Sequence, residues 1–173
     1  MFLENSPYSE SNRGVLTVLK NLGLDLAARD LEGYRAFFRG MAAEGYVDTV
    51  FEKAGIKDVV MTNDPFDEAE RQVWLSDEYE PDERFKASLR LDGLLNSWES
   101  HCQYLQKWGY HVEKNLNGET LDEIRRFLRE WATRMKAVYM AVSLPPSFRF
   151  PEESPRGIII EHCILPVTRE LNI

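Results

Sequence analysis

Three short clusters of side chains have the types and spacing to do chemistry. The first is Thr62, Asn63 and Asp64 in the stretch VVMTNDP, residues 59–65. Three apolar β-formers run there into a hydroxyl, an amide and a carboxylate, and Pro65 then withdraws a backbone donor. Such a polar tip could hydrogen-bond a polyhydroxylated substrate or orient a base. The same residue types also cap helices and form Asx turns, and spacing alone favours that structural use.

The second cluster centres on Arg90 in FKASLRLD, residues 85–92. Period-two alternation puts Lys86, Ser88 and Arg90 on one face and Phe85, Ala87, Leu89 and Leu91 on the other. If the polar face lines an interior, the Arg90 cation needs a counter-charge there. A substrate carboxylate would supply it through two parallel hydrogen bonds. A structural ion pair with Asp92 or Asp64 would serve equally, and spacing does not choose between them. The third cluster is Ser143, at the end of an apolar run. It could bond a sugar hydroxyl, but a serine there more often turns the chain. Arg149, between Phe148 and Phe150 in a proline-rich loop, reads as a surface group. His101, His111 and His162 form no HxH or HExxH pair, so a self-contained metal site is not expected. There is no GxGxxG, P-loop or GxSxG motif.

The elements that must position these groups follow from hydrophobic periodicity. Residues 1–12 are crowded with Asn5, Ser6, Pro7, Ser9 and Ser11 and read as a loop. Three amphipathic helices come next. The first starts at Arg13 and carries Val15, Leu16, Leu19 and Leu22, with Gly23 as its stop. The second has Asp30 as N-cap and runs to Gly40, and the third carries Tyr46, Val47, Val50 and Phe51 to Gly55. Val59, Val60 and Met61 then read as a buried strand. Pro65 fits the first turn of a further helix, with Asp64 or Asp67 as N-cap and Glu70 completing a capping box. After an acidic turn region, residues 76–83, the alternating strand 85–91 leads into one helix marked by Leu94, Leu95, Trp98, Cys102 and Leu105. Asn117 and Gly118 signal a turn, and Thr120 with Glu123 forms a second capping box ahead of Leu121, Ile124, Leu128, Trp131 and Met135. AVYMAV, residues 137–142, is apolar on both faces, as a parallel strand covered by helices requires. Ser154 and Pro155 open a last helix, which Pro166 should kink or end.

Strands alternating with helices, and polar groups gathered at the strand C-terminal ends, predict an α/β protein with parallel strands. A closed eight-unit barrel takes about 250 residues, so 173 residues with three βα units suggest a partial TIM-type (β/α)8 barrel behind an N-terminal helical block. The expected division is a loop and helical block over 1–57 and the partial barrel over 58–173, the two forming one continuous domain of a larger protein. A formal charge of −8, from 21 Lys+Arg against 29 Asp+Glu, argues against nucleic-acid and anionic-membrane partners. Two cysteines without CxxC spacing point to free thiols. With no leader-like N-terminus and no long apolar run, a cytoplasmic protein is expected.

VVMTNDPFD followed by SLRLDGL resembles the pattern of the uronate isomerases, sugar-acid isomerases of the amidohydrolase superfamily. ENSPYSESNRGVLTVLKNLGL and LDEIRRFLREWATRMKAVYMAVSLP are similar to that family's helical segments. The resemblance implies a metal-assisted (β/α)8 barrel that interconverts an aldose uronate such as glucuronate with its ketose. It also implies that Arg90 contacts the substrate and that Thr62, Asn63 and Asp64 form the strand-end loop of a sugar-acid pocket, to which Ser143 is added as a substrate-binding candidate from its own strand-end position. Asn63 departs from the aspartate more usual there. The family's metal-binding HxH, its late aspartate and its tryptophan have no counterpart here. The resemblance therefore implies an internal fragment, inactive alone, that itself binds no metal although the full-length enzyme uses a zinc-like divalent ion. A non-catalytic sugar-acid-binding or interaction module is the alternative. Exposed strand edges at the ends of a cut barrel favour association, and with it a homo-oligomer.

Overall fold

The computed structural model describes residues 9–173. The chain divides into two compact units, Met1–Lys57 and Asp58–Ile173. In the first, the described residues form three helices: α1 (Glu10–Asn21), α2 (Leu31–Arg39) and α3 (Ala43–Ala54). The loop expected through residue 12 ends earlier, because Ser9 accepts the amide of Asn12 and caps α1. The rest of that expected loop, residues 1–8, lies outside the described residues. Asp30 caps α2 as expected, accepting the Gly33 amide at 2.9 Å. Gly55 ends α3 in the left-handed region (φ 64°), where glycine carries no Cβ penalty. Among the described residues of this unit, Leu19, Tyr34 and Phe51 are buried.

The second unit holds a three-stranded parallel sheet in the order β1 (Val59–Asn63), β2 (Phe85–Arg90), β3 (Met140–Ala141). Between β1 and β2 runs α4 (Glu68–Leu75); between β2 and β3 run α5 (Asp92–Asn96), α6 (Trp98–Lys107) and α7 (Gly118–Met135). This mixed α/β order with parallel pairing is the class the sequence predicts. Ala87, Leu89 and Leu91 point into the main core, where Ile124, Phe127, Leu128, Trp131 and Met135 of α7 recur at helical spacing. Cys102 of α6 and Cys163 near the C-terminal end are free thiols in the same core. Burial pushes the Cys163 thiol up to about 12 and raises that of Cys102.

Several boundaries differ from expectation for local reasons. β1 is not buried: Val60 and Met61, which point to opposite faces of this edge strand, are 42% and 44% exposed. The ladder of β3 covers two residues rather than six, and Val138 and Tyr139 are exposed rather than covered on both faces. Pro65 lies in a turn ahead of α4, not in its first helical turn. Asp67 is the N-cap, and Asp64 accepts the Phe66 amide instead. Glu70 turns away from a capping box to accept the Asp64 amide at 2.8 Å. The single helix expected from Leu94 to Leu105 breaks at Ser97, whose φ of −146° is not helical. Asn117, not Thr120, caps α7 by accepting the Thr120 amide at 2.8 Å. Glu123 accepts the His111 amide and pairs with Arg126, which brings its carboxyl down to about 2.

The last helical stretch comprises α8 (Pro155–Ile159), one wide π turn over Ile160–Ile164, and α9 (Leu165–Leu171). Pro166 does not end it. Proline lacks the N–H that would bond the His162 carbonyl, and the Arg125 Nε–H donates to that carbonyl instead, at 2.7 Å.

Candidate functional site

All three strands end at one edge of the sheet, and their tips carry the polar residues singled out above. The register places Val60 beside Lys86 and Thr62 beside Ser88, so these side chains share the face of β2 opposite the helices. On that face Lys86 pairs with Asp58 at 2.9 Å. Ser88 is fully buried, and its hydroxyl finds no hydrogen-bond partner among the described residues. Thr62 is exposed there.

At the β1 tip the polar groups are consumed locally. Asn63 is buried and donates to Glu70 at 3.4 Å, while the Asp64 carboxylate accepts the Phe66 amide at 2.9 Å. Burial raises the Asp64 carboxyl above its ordinary value, against the pull of the Phe66 amide, Arg90 and His101, and Glu70 pushes it the same way as burial. The structural use that spacing favoured is thus present, and the carboxyl also lies within the field of Arg90.

At the β2 tip the arrangement is non-local. Arg90 Nε–H donates to Asp92 Oδ2 at 2.8 Å. The Ser143 amide donates to Asp92 Oδ1 at 3.2 Å, and Asn96 donates to the Ser143 carbonyl at 2.9 Å. Asp92 is accordingly held below the usual aspartate value, first by Arg90 and then by the Ser143 amide and hydroxyl. The ion pair weighed for Arg90 forms with Asp92. It uses only the Nε edge. The two terminal guanidinium nitrogens make no hydrogen bond to the described residues, and 45% of the side chain is exposed. A guanidinium anchored at Nε with its terminal fork unspent is suited to a planar carboxylate.

The structure therefore brings Arg90, Asp64 and Ser143 to one edge with Asp92, which the sequence offered only as an ion-pair partner. Thr62 and Asn63 lie just below, Asn63 turned into local packing. Arg149 donates to the carbonyls of Pro146 and Phe148 in its own loop, in keeping with a surface role. Sequence reasoning set aside His101 as an isolated helical histidine and missed Asn96. Gly93, a helix-disfavouring residue within the apolar run LDGLL, was the available signal for His101.

Among the described residues no group of three or more His, Cys, Asp and Glu side chains could hold a metal ion. The nearest donors are already engaged, Asp92 by Arg90 and Glu70 by the Asp64 amide. They do not fit the divalent metal that the family resemblance implies. No described helix is long and apolar enough to cross a membrane.

No family model matches the chain, and no curated protein matches it significantly. Among solved structures it is similar to the crystal structure of a uronate isomerase from Bacillus halodurans C-125, with 54% identity and a TM-score of 0.95. The match covers 99% of this chain and 40% of that protein, so the chain spans less than half the length of the enzyme it resembles. The likeness reaches far beyond the TNDP and Arg90–Asp92 motifs.

Proposed function

We propose, from the premise that the chain is uronate isomerase-like over 99% of its length, that it supplies the carboxylate-gripping part of a sugar-acid isomerase site. On this reading the sheet is an arc of a (β/α)8 barrel of the amidohydrolase type, and the face of Lys86, Ser88 and Arg90 is its interior. The reaction of the whole enzyme is aldose–ketose isomerisation of glucuronate or a related uronate, in which a proton moves between C2 and C1.

The share of this chain is to bind and orient. The terminal nitrogens of Arg90 take the substrate carboxylate end-on while Asp92 fixes the guanidinium through Nε. The Asp64 carboxyl and Ser143 meet hydroxyls at the neighbouring strand ends, and Thr62 and Asn63 support the first of these. The unspent fork of Arg90, anchored by Asp92 at a strand C-terminal end, is the observation that carries the reading.

Calorimetric titration of the chain with glucuronate at millimolar concentration tests it. Wild type should bind. Arg90→Met should weaken binding roughly 10- to 100-fold, the worth of a charged hydrogen-bonded contact of about 1.5–3 kcal/mol. Equal affinity in the variant would remove Arg90 from the role. Binding of glucuronate without any isomerase activity in an assembled enzyme would favour the second reading, a sugar-acid-binding module.

A further inference from the structure

We propose that His101 is a positioning residue for the Arg90 grip. Its imidazole is seated on Gly93 and against Phe66, and so holds the two strand-end turns that carry Asp92 and Asp64. The proposal deepens the carboxylate-grip reading and rests on it.

Gly93 stands at the second position of α5, a helix in which glycine is a poorer former than alanine. Its backbone needs no left-handed conformation. What excludes a side chain is the imidazole: a Cβ on Gly93 would overlap His101 Nε2 and lie 2.5 Å from Cδ2 and 2.9 Å from Cε1. The ring cannot swing aside cheaply. Its Nδ1 lies 3.0 Å from the Ser97 carbonyl and 3.1 Å from the Ser100 hydroxyl, at the break between α5 and α6.

The imidazole also meets Phe66 edge to face, at a centroid distance of 4.6 Å and an angle of 80°. Phe66 is itself fixed twice. Its amide donates to Asp64, and its ring stacks on Trp108 at 5.2 Å and packs near Phe127 at 5.5 Å. One ring thus ties the core, through Phe66, to the turn after β1 and, through Gly93, to the turn after β2. Asp92 immediately precedes Gly93, and its two carboxylate oxygens hold Arg90 Nε–H and the Ser143 amide. A shift of Gly93 moves Asp92, and the guanidinium loses its anchor.

The test uses the 173-residue chain with two readouts: the Arg90 Nε–H resonance in nitrogen-15 spectra, assigned by its disappearance in Arg90→Met, and calorimetric affinity for glucuronate. In wild type the Nε–H should be protected from exchange by Asp92. His101→Ala and Gly93→Ala should each lose that protection and weaken glucuronate binding roughly tenfold. In the His101→Ala background, Gly93→Ala should add no further loss, because the colliding ring is gone; independent, additive effects would overturn the proposal. So would an unchanged Arg90 signal in folded His101→Ala. If the alanine variants unfold by circular dichroism, His101→Gln, whose amide can keep the bond to the Ser97 carbonyl, takes their place: lost protection and weaker binding support the proposal, and an unchanged Arg90 signal overturns it. If wild type takes no glucuronate, the carboxylate-grip reading fails, and the exchange protection alone decides whether His101 positions Arg90.

Discussion

The two faces of β2 divide the labour of one strand. Ala87, Leu89 and Leu91 are at most 3% exposed and sit in the core against α7. Lys86, Ser88 and Arg90, interleaved with them, face away from the helices and carry an ion pair with Asp58, a hydroxyl without a partner among the described residues, and a guanidinium fork that bonds none of them. On the first face every group is consumed by packing. On the second, charge and hydrogen-bonding capacity are left over among the described residues, and the proposed carboxylate grip rests on that surplus more than on residue type. The two strand tips make the same point. The β1 tip holds more suggestive residue types, yet its Asn63 and Asp64 are largely spent on Glu70 and the Phe66 amide.

The contrast can be broken from either side. Leu89→Ala should have the largest effect, about 2–5 kcal/mol of stability lost in denaturant unfolding, because a fully buried leucine leaves a cavity. Arg90→Met, one residue on, should change stability by less than about 1 kcal/mol, the usual worth of an exposed ion pair, while weakening glucuronate binding roughly 10- to 100-fold. Comparable destabilisation by both would erase the distinction.

Acid should act on the helical side. Glu123 is held at about 2 against an ordinary 4.5 by Arg126 and the His111 amide. A depressed carboxyl contributes stability that is fully present above about pH 4.5 and lost as pH falls towards 2. Glu123→Gln should therefore be less stable than wild type at neutral pH and flatten the acid limb of the unfolding curve, measured by circular dichroism. Asp67→Ala removes the α4 cap and should cost about 1 kcal/mol, with glucuronate binding little altered. Smallest of all, Val60→Thr on the exposed face of β1 should fall within about 0.5 kcal/mol of wild type; a larger loss would mean that this face is covered.

Much of this was legible in the residues. The alternation of 85–91 separates the two faces of β2 correctly, and the helical stripe of α7 is plain, since periodicity reports burial directly. Asp30 and Gly55 bound their helices because few residue types suit those backbone positions. Where several neighbours could serve equally, spacing failed. Asn117 and Thr120 are both good caps, and only the fold shows that Thr120 Oγ1 instead accepts the Glu113 amide. Pro166 reads as a breaker because the sequence cannot show that Arg125, 41 positions earlier, satisfies the carbonyl it abandons. The site was half legible. Arg90 and Asp92 are two residues apart, whereas the link from Ser143 to Asp92 spans 51 positions and no local pattern records it, and Gly93 hints at a close neighbour without saying that it is the His101 ring.

The two buried thiols give the second unit a chemical clock. Cys102 lies on α6, and Cys163 sits in the π turn, donating to the Leu121 carbonyl at 3.5 Å. With burial suppressing their ionisation, alkylating reagents reach them only when the fold opens. If the C-terminal helical stretch peels away before the sheet and α7 come apart, Cys163 is labelled first. If the unit opens as one, both sulfurs react at a single rate, and the order of modification reads out the cooperativity of the chain without any probe being added.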